Sequence, residues 1–312
     1  MRPQYSIIFL TNMIGMAQGL LFSVSILNFR IDAIPAEFLS SVIFPIAIIL
    51  LIGGLAASFF HLGHPERAWR AAMMWKTSWL SREVIALPLV ILFALIGLYF
   101  SINYPTPQWL WIGLMMSCLI LWVCTAKIYQ CIRFIQEWSH PTTLLNFFLL
   151  GLASGWLLLT ALVNLFNQSI LSANNNLLIM IGLLMTFCAF NLKLWIWKRN
   201  RGLKSKSNLA SATGIKGQNI RQTSMGLMGG SFNTREFFHH QTDRVITNIR
   251  KIILLCTYIV PMILMAYSLS ASSPKNYLCL AVIIQFIGLI CERWLFFAEA
   301  NHPQNLYYQR VS

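Results

Sequence analysis

The sequence predicts an all-α integral membrane protein with eight transmembrane helices, and three observations carry that prediction. Hydrophobic residues make up 57% of the 312 residues and charged residues only 10%, and the mean hydropathy is +0.64. A soluble domain carries roughly 25% charged residues, so this composition excludes a soluble enzyme, a disordered tail and a nucleic-acid-binding domain. Eight stretches also reach the length of about 20 apolar residues that crosses a bilayer as a helix. The predicted spans are residues 6–28, 38–60, 84–102, 109–126, 142–165, 177–196, 252–271 and 277–299.

The spans must be helices, because an apolar segment in lipid has to satisfy its own backbone hydrogen bonds. A barrel would show alternating strands of about ten residues, and the sequence contains no such pattern. We therefore expect residues 1–312 to form a single membrane domain, for which two four-helix bundles are one arrangement. Residues 197–250 are expected to form a basic loop outside the membrane.

Lysine and arginine are distributed unevenly between the two ends of the predicted bundle. With eight spans, both termini and the loops after spans 2, 4 and 6 share one face, here called the basic face. It receives 21 of the 23 lysine and arginine residues, including Lys193 and Arg293. Its seven acidic residues are Glu66, Glu83, Glu137, Glu236, Asp243, Glu292 and Glu299. The opposite face holds Arg30, Asp32, Glu37 and Lys275. The whole net charge of +14 therefore belongs to the basic face, which the positive-inside rule places in the cytoplasm. A docking surface for a large partner would explain the same charge, so sidedness stays open.

The histidines and cysteines indicate that this chain carries no haem, iron–sulfur cluster or other metal of its own. All six histidines fall in loops or tails of the basic side, whereas a transmembrane di-haem site needs paired axial ligands inside its helices. The seven cysteines show no CxxC or comparable ligand spacing. No carboxylate lies at a span centre, so the sequence shows no proton wire across the bilayer. We expect any chemistry to occur near one surface.

The loop between spans 2 and 3 concentrates the polar residues that could serve a redox reaction. His61 and Glu83 would meet at the edge of the hydrocarbon region, where a half-buried carboxyl group is suited to accept a proton. A hydroquinone headgroup needs such a place, because two protons leave it as two electrons leave. His64 and Arg82 are second candidates for the same quinol-binding site. The competing interpretation makes Glu83 a capping carboxylate in the first turn of span 3, with Ser78 or Ser81 as the cap.

Two segments of the basic face carry candidate docking residues. Arg67 and Arg70 follow His61 and suit phosphate or partner contacts. The long loop contains Arg235, Glu236 and Phe237 among methionine, phenylalanine and glycine residues, a mixture that suits docking against another protein. Ordinary folding of this loop on the surface explains the mixture equally well.

Four motifs along the chain resemble one known family. HLGHPERAWRA (61–71), SWLSRE (78–83), SFNTREFFHH (231–240) and ERWLFFAEANHPQNLYY (292–308) are similar to the membrane-anchor subunit of the anaerobic dimethyl sulfoxide (DMSO) reductase complex. The resemblance covers nearly the whole chain. It implies a haem-free inner-membrane subunit that oxidises menaquinol and passes the electrons to an iron–sulfur subunit and a molybdopterin catalytic subunit. It also implies that His61 and Glu83 are the functional residues.

The sequence departs from the family pattern, or leaves it undecided, at three points. His64 is an additional histidine within the HLGxP stretch. Relatives of this anchor serve other molybdenum or sulfur-compound reductases, so the terminal acceptor is not encoded in this chain. The family places both termini on the outer side, opposite to the positive-inside prediction.

The leading prediction is therefore a quinol-oxidising anchor of an anaerobic respiratory complex, with membrane lipid, the quinol pool and two further protein chains as partners and no nucleic acid. Two alternatives remain at this point. A secondary transporter would show a charged or broken-helix site near the midplane, and the span centres lack ionisable residues. A purely structural anchor would hold the catalytic partners without touching quinol.

Overall fold

The computed structural model describes residues 2–31, 34–60, 62–166, 175–204, 207–216, 220, 223, 239–271 and 273–303, with the backbone alone at Arg30 and Ile31. Within these residues eight helices are long and apolar enough to cross a membrane, and no strand occurs, so the predicted fold class is confirmed. The helices are α1 Tyr5–Ile31, α2 Ala36–Phe59, α3 Trp79–Asn103, α4 Gln108–Gln130, α5 Thr142–Leu165, α6 Asn175–Arg201, α7 Asp243–Ser268 and α8 Pro274–Ala298.

The helices form two four-helix bundles in chain order. In the first bundle α1 packs on α2 and α4, and α3 packs on α2 and α4. The second repeats this arrangement, with α5 against α6 and α8, and α7 against α6 and α8. The two bundles meet mainly through α1 and α5, the first helix of each. This arrangement places the ends of α2, α4 and α8 around the start of α1.

Glycine allows the backbones of α1 and α5 to approach closely. Gly15 and Gly19 on α1 face Gly151 and Gly155 on α5, so each helix carries one GxxxG motif. A Cβ atom at Gly19 would overlap the Gly151 carbonyl oxygen, and one at Gly155 would overlap the Gly19 backbone. Helix association in lipid depends on such close packing, because lipid tails are as apolar as the side chains and no hydrophobic force drives the helices together. These glycines therefore set the distance between the bundles.

Two segments of π-helix precede prolines inside membrane helices. Leu39–Ile43 in α2 is followed by Pro45, and Ile253–Ile259 in α7 by Pro261. Proline cannot donate a backbone hydrogen bond, and its ring clashes with the carbonyl four residues earlier, so the helix widens there.

Three features of the chain lie at the basic face: a 3₁₀ helix, the start of α7 and a short helix. A 3₁₀ helix, Pro65–Met74, connects α2 to α3, and no residue in it is buried. Helix α7 begins at Asp243, nine residues before the predicted span, because its first turns are amphipathic and extend beyond the apolar segment. The part of the 197–250 segment that the structure describes also contains a short helix, Leu209–Thr213.

Candidate functional site

A cavity of about 570 Å³ opens at the basic face between the two bundles. The N-terminal segment that leads into α1 forms one side, and Phe60, at the end of α2, forms another. Tyr129, Trp138 and Phe297 complete the lining from the ends of α4 and α8 and from the segment before α5. A cavity of this size that combines aromatic side chains with polar groups has properties of a small-molecule site.

The inner wall of the cavity is a packed aromatic cluster centred on Tyr129. Its ring stacks on Phe147 with 5.7 Å between centroids and an interplanar angle of 17°. Trp138 packs edge-on against it at 5.3 Å, and the Trp138 indole donates a 3.0 Å hydrogen bond to the Phe296 carbonyl oxygen. These contacts fix the rings in position, so they offer a flat, rigid surface to a planar ligand.

Glu83 lies behind this wall, on the α3 side. Its carboxylate accepts a hydrogen bond of 2.5 Å from the Thr125 hydroxyl on α4. Tyr129, one turn after Thr125, is close enough for Glu83 to act on it electrostatically. The carboxylate is therefore held between α3 and α4 at Thr125, one helical turn before the Tyr129 that lines the cavity.

The capping interpretation of Glu83 is wrong. The cap of α3 is Ser78, whose hydroxyl accepts a 3.3 Å hydrogen bond from the Ser81 backbone N–H. The helix begins at Trp79, and its first turn contains no acidic residue. Glu83 lies one residue too late to stabilise the helix terminus, because the N–H groups without intrahelical partners belong to the first four positions.

The family assignment follows from a comparison over almost the entire chain. The family model described as DMSO reductase anchor subunit (DmsC) matches residues 1–298. The chain belongs to this family. It is also 40% identical, over 334 aligned positions that cover 100% of both chains, to a sulfite dehydrogenase subunit from Allochromatium vinosum.

Membership makes the chain the membrane anchor of an oxidoreductase complex with catalytic and electron-transfer partner subunits. It confirms the resemblance drawn from the four motifs. In this anchor the cavity therefore lies at a membrane surface.

The residues predicted to bind quinol are only partly brought together. His61 lies outside the described residues, although the preceding Phe60 lines the cavity and is 87% exposed. His64 is exposed, and its Nδ1 atom lies 3.0 Å from a Glu66 carboxylate oxygen. None of His64, Arg82 and Glu83 lines the cavity. The assignment of His64 and Arg82 to a quinol site with Glu83 therefore stays a prediction.

Arg82 belongs to a different feature of the anchor. Its Nε and Nη2 atoms donate hydrogen bonds of 2.9 and 2.8 Å to the carbonyl oxygens of Trp75 and Lys76. Its guanidinium lies 4.2 Å from the centroid of the Trp79 ring. With the two tryptophans it forms the head of an almost wholly apolar groove of about 440 Å³ between α3 and α4. The remaining lining is Ile85, Ala86, Leu89, Leu119, Ile120, Val123 and Cys124.

The candidate docking residues are described only in part. Arg67 and Arg70 lie exposed on the 3₁₀ helix, where Arg67 pairs with Glu66 at 3.7 Å and Arg70 lies 5.5 Å from the Trp69 ring centroid. Arg235, Glu236 and Phe237 lie outside the described residues.

Three charged residues counted with the basic-face loops are instead inside the second bundle. Lys193 is 3% exposed, Glu292 0% and Arg293 3%. Lys193 Nζ lies 2.7 Å from Glu292 Oε1, which also accepts a 3.0 Å hydrogen bond from Asn146. The placement was wrong because these side chains lie on buried faces of α6 and α8, where ion pairing replaces contact with water. Ionisable residues within apolar spans are the signal that could have identified them.

Among the described residues, no three histidine, cysteine or acidic side chains converge as metal ligands would. The described residues therefore offer three chemical features: the aromatic cavity, the Glu83–Thr125 pair and the buried charges.

Proposed function

We propose that this anchor subunit exchanges electrons and protons between the membrane quinone pool and an iron–sulfur partner subunit. That partner would connect it to a molybdopterin catalytic subunit. The observation that carries the proposal is the cavity at the basic face, with its aromatic wall and with Glu83 held behind Tyr129.

The cavity suits a quinone headgroup in size, shape and polarity. A planar ring would pack against Tyr129, Trp138 and Phe297, and the polar Arg2 and Gln4 lie at the same cavity. The apolar groove between α3 and α4 offers a surface for an isoprenoid tail, since nearly all of its lining is aliphatic or aromatic. In this arrangement the polar headgroup of the quinone meets polar residues, and its apolar tail lies among apolar side chains.

Oxidation of a quinol releases two protons and two electrons. In our proposal Glu83 accepts one proton through a water molecule while Thr125 keeps its carboxylate oriented, and the other proton passes to water at the open mouth of the cavity. His61 would hydrogen-bond to a quinol oxygen, as the family resemblance implies. The electrons would pass one at a time to the iron–sulfur partner docked on the basic face. Reduction of a quinone uses the same groups with every step reversed.

The first candidate for the direction of the reaction is oxidation of menaquinol. The family's DMSO reductase description favours it, with DMSO or a related compound as the terminal acceptor in anaerobic respiration. The second candidate is quinone reduction with electrons from sulfite. Identity of 40% over the full length of a sulfite dehydrogenase subunit favours this second direction.

We further propose that the chain lies in the inner membrane, with its basic face in the cytoplasm. The described loops and helix ends of this face carry most of the surface lysine and arginine, and the positive-inside rule assigns such a face to the cytoplasm. The iron–sulfur and molybdopterin subunits would then dock from that side.

The test is purification of the tagged chain, in mild detergent, with the partner proteins that it retains. Iron and molybdenum would be measured, and turnover followed in both directions: a naphthoquinol with DMSO, and sulfite with a naphthoquinone. Turnover in either assay supports the quinone-reactive anchor, and the faster assay identifies the direction. A complete complex with no quinone turnover in any assay would instead support a purely structural anchor. Substrate uptake by the chain alone in vesicles would support a transporter.

A further inference from the structure

The buried charges of the second bundle form a cluster with a surplus positive charge. Lys193, Glu292 and Arg293 carry two positive charges and one negative charge in their ionised forms. Glu292 faces both cations, with Oε1 2.7 Å from Lys193 Nζ and Oε2 3.5 Å from Arg293 Nη1. The two cations therefore share one carboxylate, and one positive charge of the cluster has no counter-charge within it.

Several polar atoms of the cluster also lack hydrogen-bond partners among the described residues. Within the described residues, Arg293 Nε and Nη1 have no hydrogen-bond acceptor, and Glu292 Oε2 has no donor. Tyr258, which is also buried, is close enough for Glu292 and Arg293 to act on it, and its hydroxyl has no partner in the same residues. A buried guanidinium left partly unpaired is costly, so a functional reason for keeping it is required.

A narrow slot at the basic face reaches Lys193 of the cluster. The slot has a volume of about 20 Å³ and is lined by Asn146 and Lys193 on the inside and by Glu137 and Glu299 at the basic face. That volume is room for about one water molecule. Glu299 is paired with Arg250 at 2.9 Å, so it does not cancel the surplus. The field of the cluster is therefore poorly screened within the bundle.

A stack of rings joins the cluster to the cavity. The Arg293 guanidinium lies 3.7 Å from the Phe147 ring centroid, and Phe147 stacks on Tyr129 at 5.7 Å. Tyr129 lines the cavity and is close enough for both Arg293 and Glu83 to act on it electrostatically. The cavity wall thus lies between a carboxylate on α3 and a positive cluster on α6 and α8, and Glu83 has the stronger influence on Tyr129 until its carboxylate takes up a proton.

We propose that the Lys193–Glu292–Arg293 cluster is an electrostatic device that stabilises anionic forms of the quinone headgroup in the cavity. This inference rests on the proposed quinone function. The three residues act through space and do not touch the ligand, so they are positioning residues rather than catalytic ones. Their ligand class is a planar quinone that carries a negative charge during turnover, as a quinol does after losing its first proton.

The size of the effect follows from distance. The two ring contacts place the guanidinium within about 10 Å of the Tyr129 ring. A headgroup packed against the Tyr129 ring would lie roughly 13 Å from the guanidinium, and one charge at that distance, in a medium of effective dielectric constant about 20, changes the affinity for an anion on the order of tenfold. A neutral ligand of the same shape would gain nothing.

The experiment measures binding of two naphthoquinones to the assembled complex at pH 7. One is 2-hydroxy-1,4-naphthoquinone, which is an anion at that pH, and the other is neutral 2-methyl-1,4-naphthoquinone. Lys193→Met and Arg293→Met each reduce the cluster charge to zero, whereas Lys193→Met combined with Glu292→Gln restores the surplus. We expect each single variant to lose anion affinity by about tenfold relative to the neutral ligand, and the double variant to recover it.

A second comparison uses only variants in which no buried charge lacks an opposite charge, because an unpaired buried charge could prevent assembly. Each single variant keeps one ion pair with Glu292, and the triple variant Lys193→Met, Glu292→Gln, Arg293→Met removes all three charges. All of these clusters carry zero net charge, so equal anion-to-neutral affinity ratios in the parental complex and in these variants would overturn the inference. A parental complex that binds the neutral naphthoquinone but does not turn it over would contradict the proposed function instead.

Discussion

The Thr125 hydroxyl on α4 donates a 2.5 Å hydrogen bond to the Glu83 carboxylate on α3. A short bond from a hydroxyl to a carboxylate is among the strong hydrogen bonds of proteins. It joins two neighbouring membrane helices and directs the Glu83 carboxylate toward α4. The bond therefore fixes the orientation of the group that we propose as the proton acceptor.

Replacing Glu83 by glutamine tests that role. Glu83→Gln keeps the size of the side chain and a hydrogen-bonding oxygen for Thr125, so we expect the complex to assemble normally. Quinone-linked turnover should fall by about 100-fold, the usual contribution of a positioned acid or base. The measurement is turnover per assembled complex, with assembly quantified from its iron and molybdenum content. Glu66→Gln is the matched control, since Glu66 is an exposed residue of the 3₁₀ helix. Parental rates in an assembled Glu83→Gln complex would remove Glu83 from the mechanism.

The aromatic wall predicts a difference between two substitutions of Tyr129. Tyr129→Phe preserves the ring stacked on Phe147, whereas Tyr129→Leu removes it. We expect the KM for a naphthoquinol to rise about fivefold in the leucine variant, since aromatic stacking is worth about 1 kcal/mol. The phenylalanine variant should keep the parental KM. Steady-state kinetics of both variants would measure the difference, and an equal KM in all three proteins would argue against ligand binding at this wall.

The glycine contact between the bundles predicts unequal tolerance at two positions of α1. Gly19→Ala places a methyl group against the Gly151 carbonyl oxygen, so we expect a large loss of assembled protein in the membrane. Gly15→Ala is the control on the same helix, because its new Cβ atom would lie 4.0 Å from the Gly151 Cα, an ordinary van der Waals contact. Detergent-resistant complex is measured by size-exclusion chromatography. Similar yields for the two variants would show that the bundles do not meet as described.

The charge asymmetry predicts the orientation of the chain. Cys131 is exposed at the basic-face end of α4, and Tyr104 is exposed at the opposite face, between α3 and α4. A membrane-impermeant thiol reagent should label Tyr104→Cys from the periplasmic side, and Cys131 only from the cytoplasmic side. The variant Cys131→Ser supplies the background signal. Labelling of Cys131 from the periplasmic side would reverse the orientation.

The sequence predicted the fold and the family well because both depend on strong, local signals. Eight apolar stretches of membrane-spanning length leave helices as the only stable structure, and four motifs identify the family without any geometry. The sequence also singled out Glu83, whose site role stays a prediction; its contact with Thr125 joins positions 42 residues apart and is not visible in the pattern.

The sequence could not place the buried charges, because membership of a span does not reveal which way a side chain points. Lys193, Glu292 and Arg293 lie a few turns from the basic-face ends of α6 and α8, so extension to the surface was the simpler interpretation. Their burial becomes visible only when α5, α6 and α8 are packed together. Arg82 and Glu83 make the same point, because adjacent residues of one helix face different neighbours.

The most direct test of the account is the location of bound quinone in the assembled complex. An azido-naphthoquinone would be photolysed in the membrane-bound complex, and the labelled peptides identified by mass spectrometry. The account predicts labelling of residues 2–7, Phe60, His61, Tyr129 or Trp138, suppressed by excess unlabelled naphthoquinone. Specific labelling confined to other parts of the chain, or to the partner proteins, would contradict it.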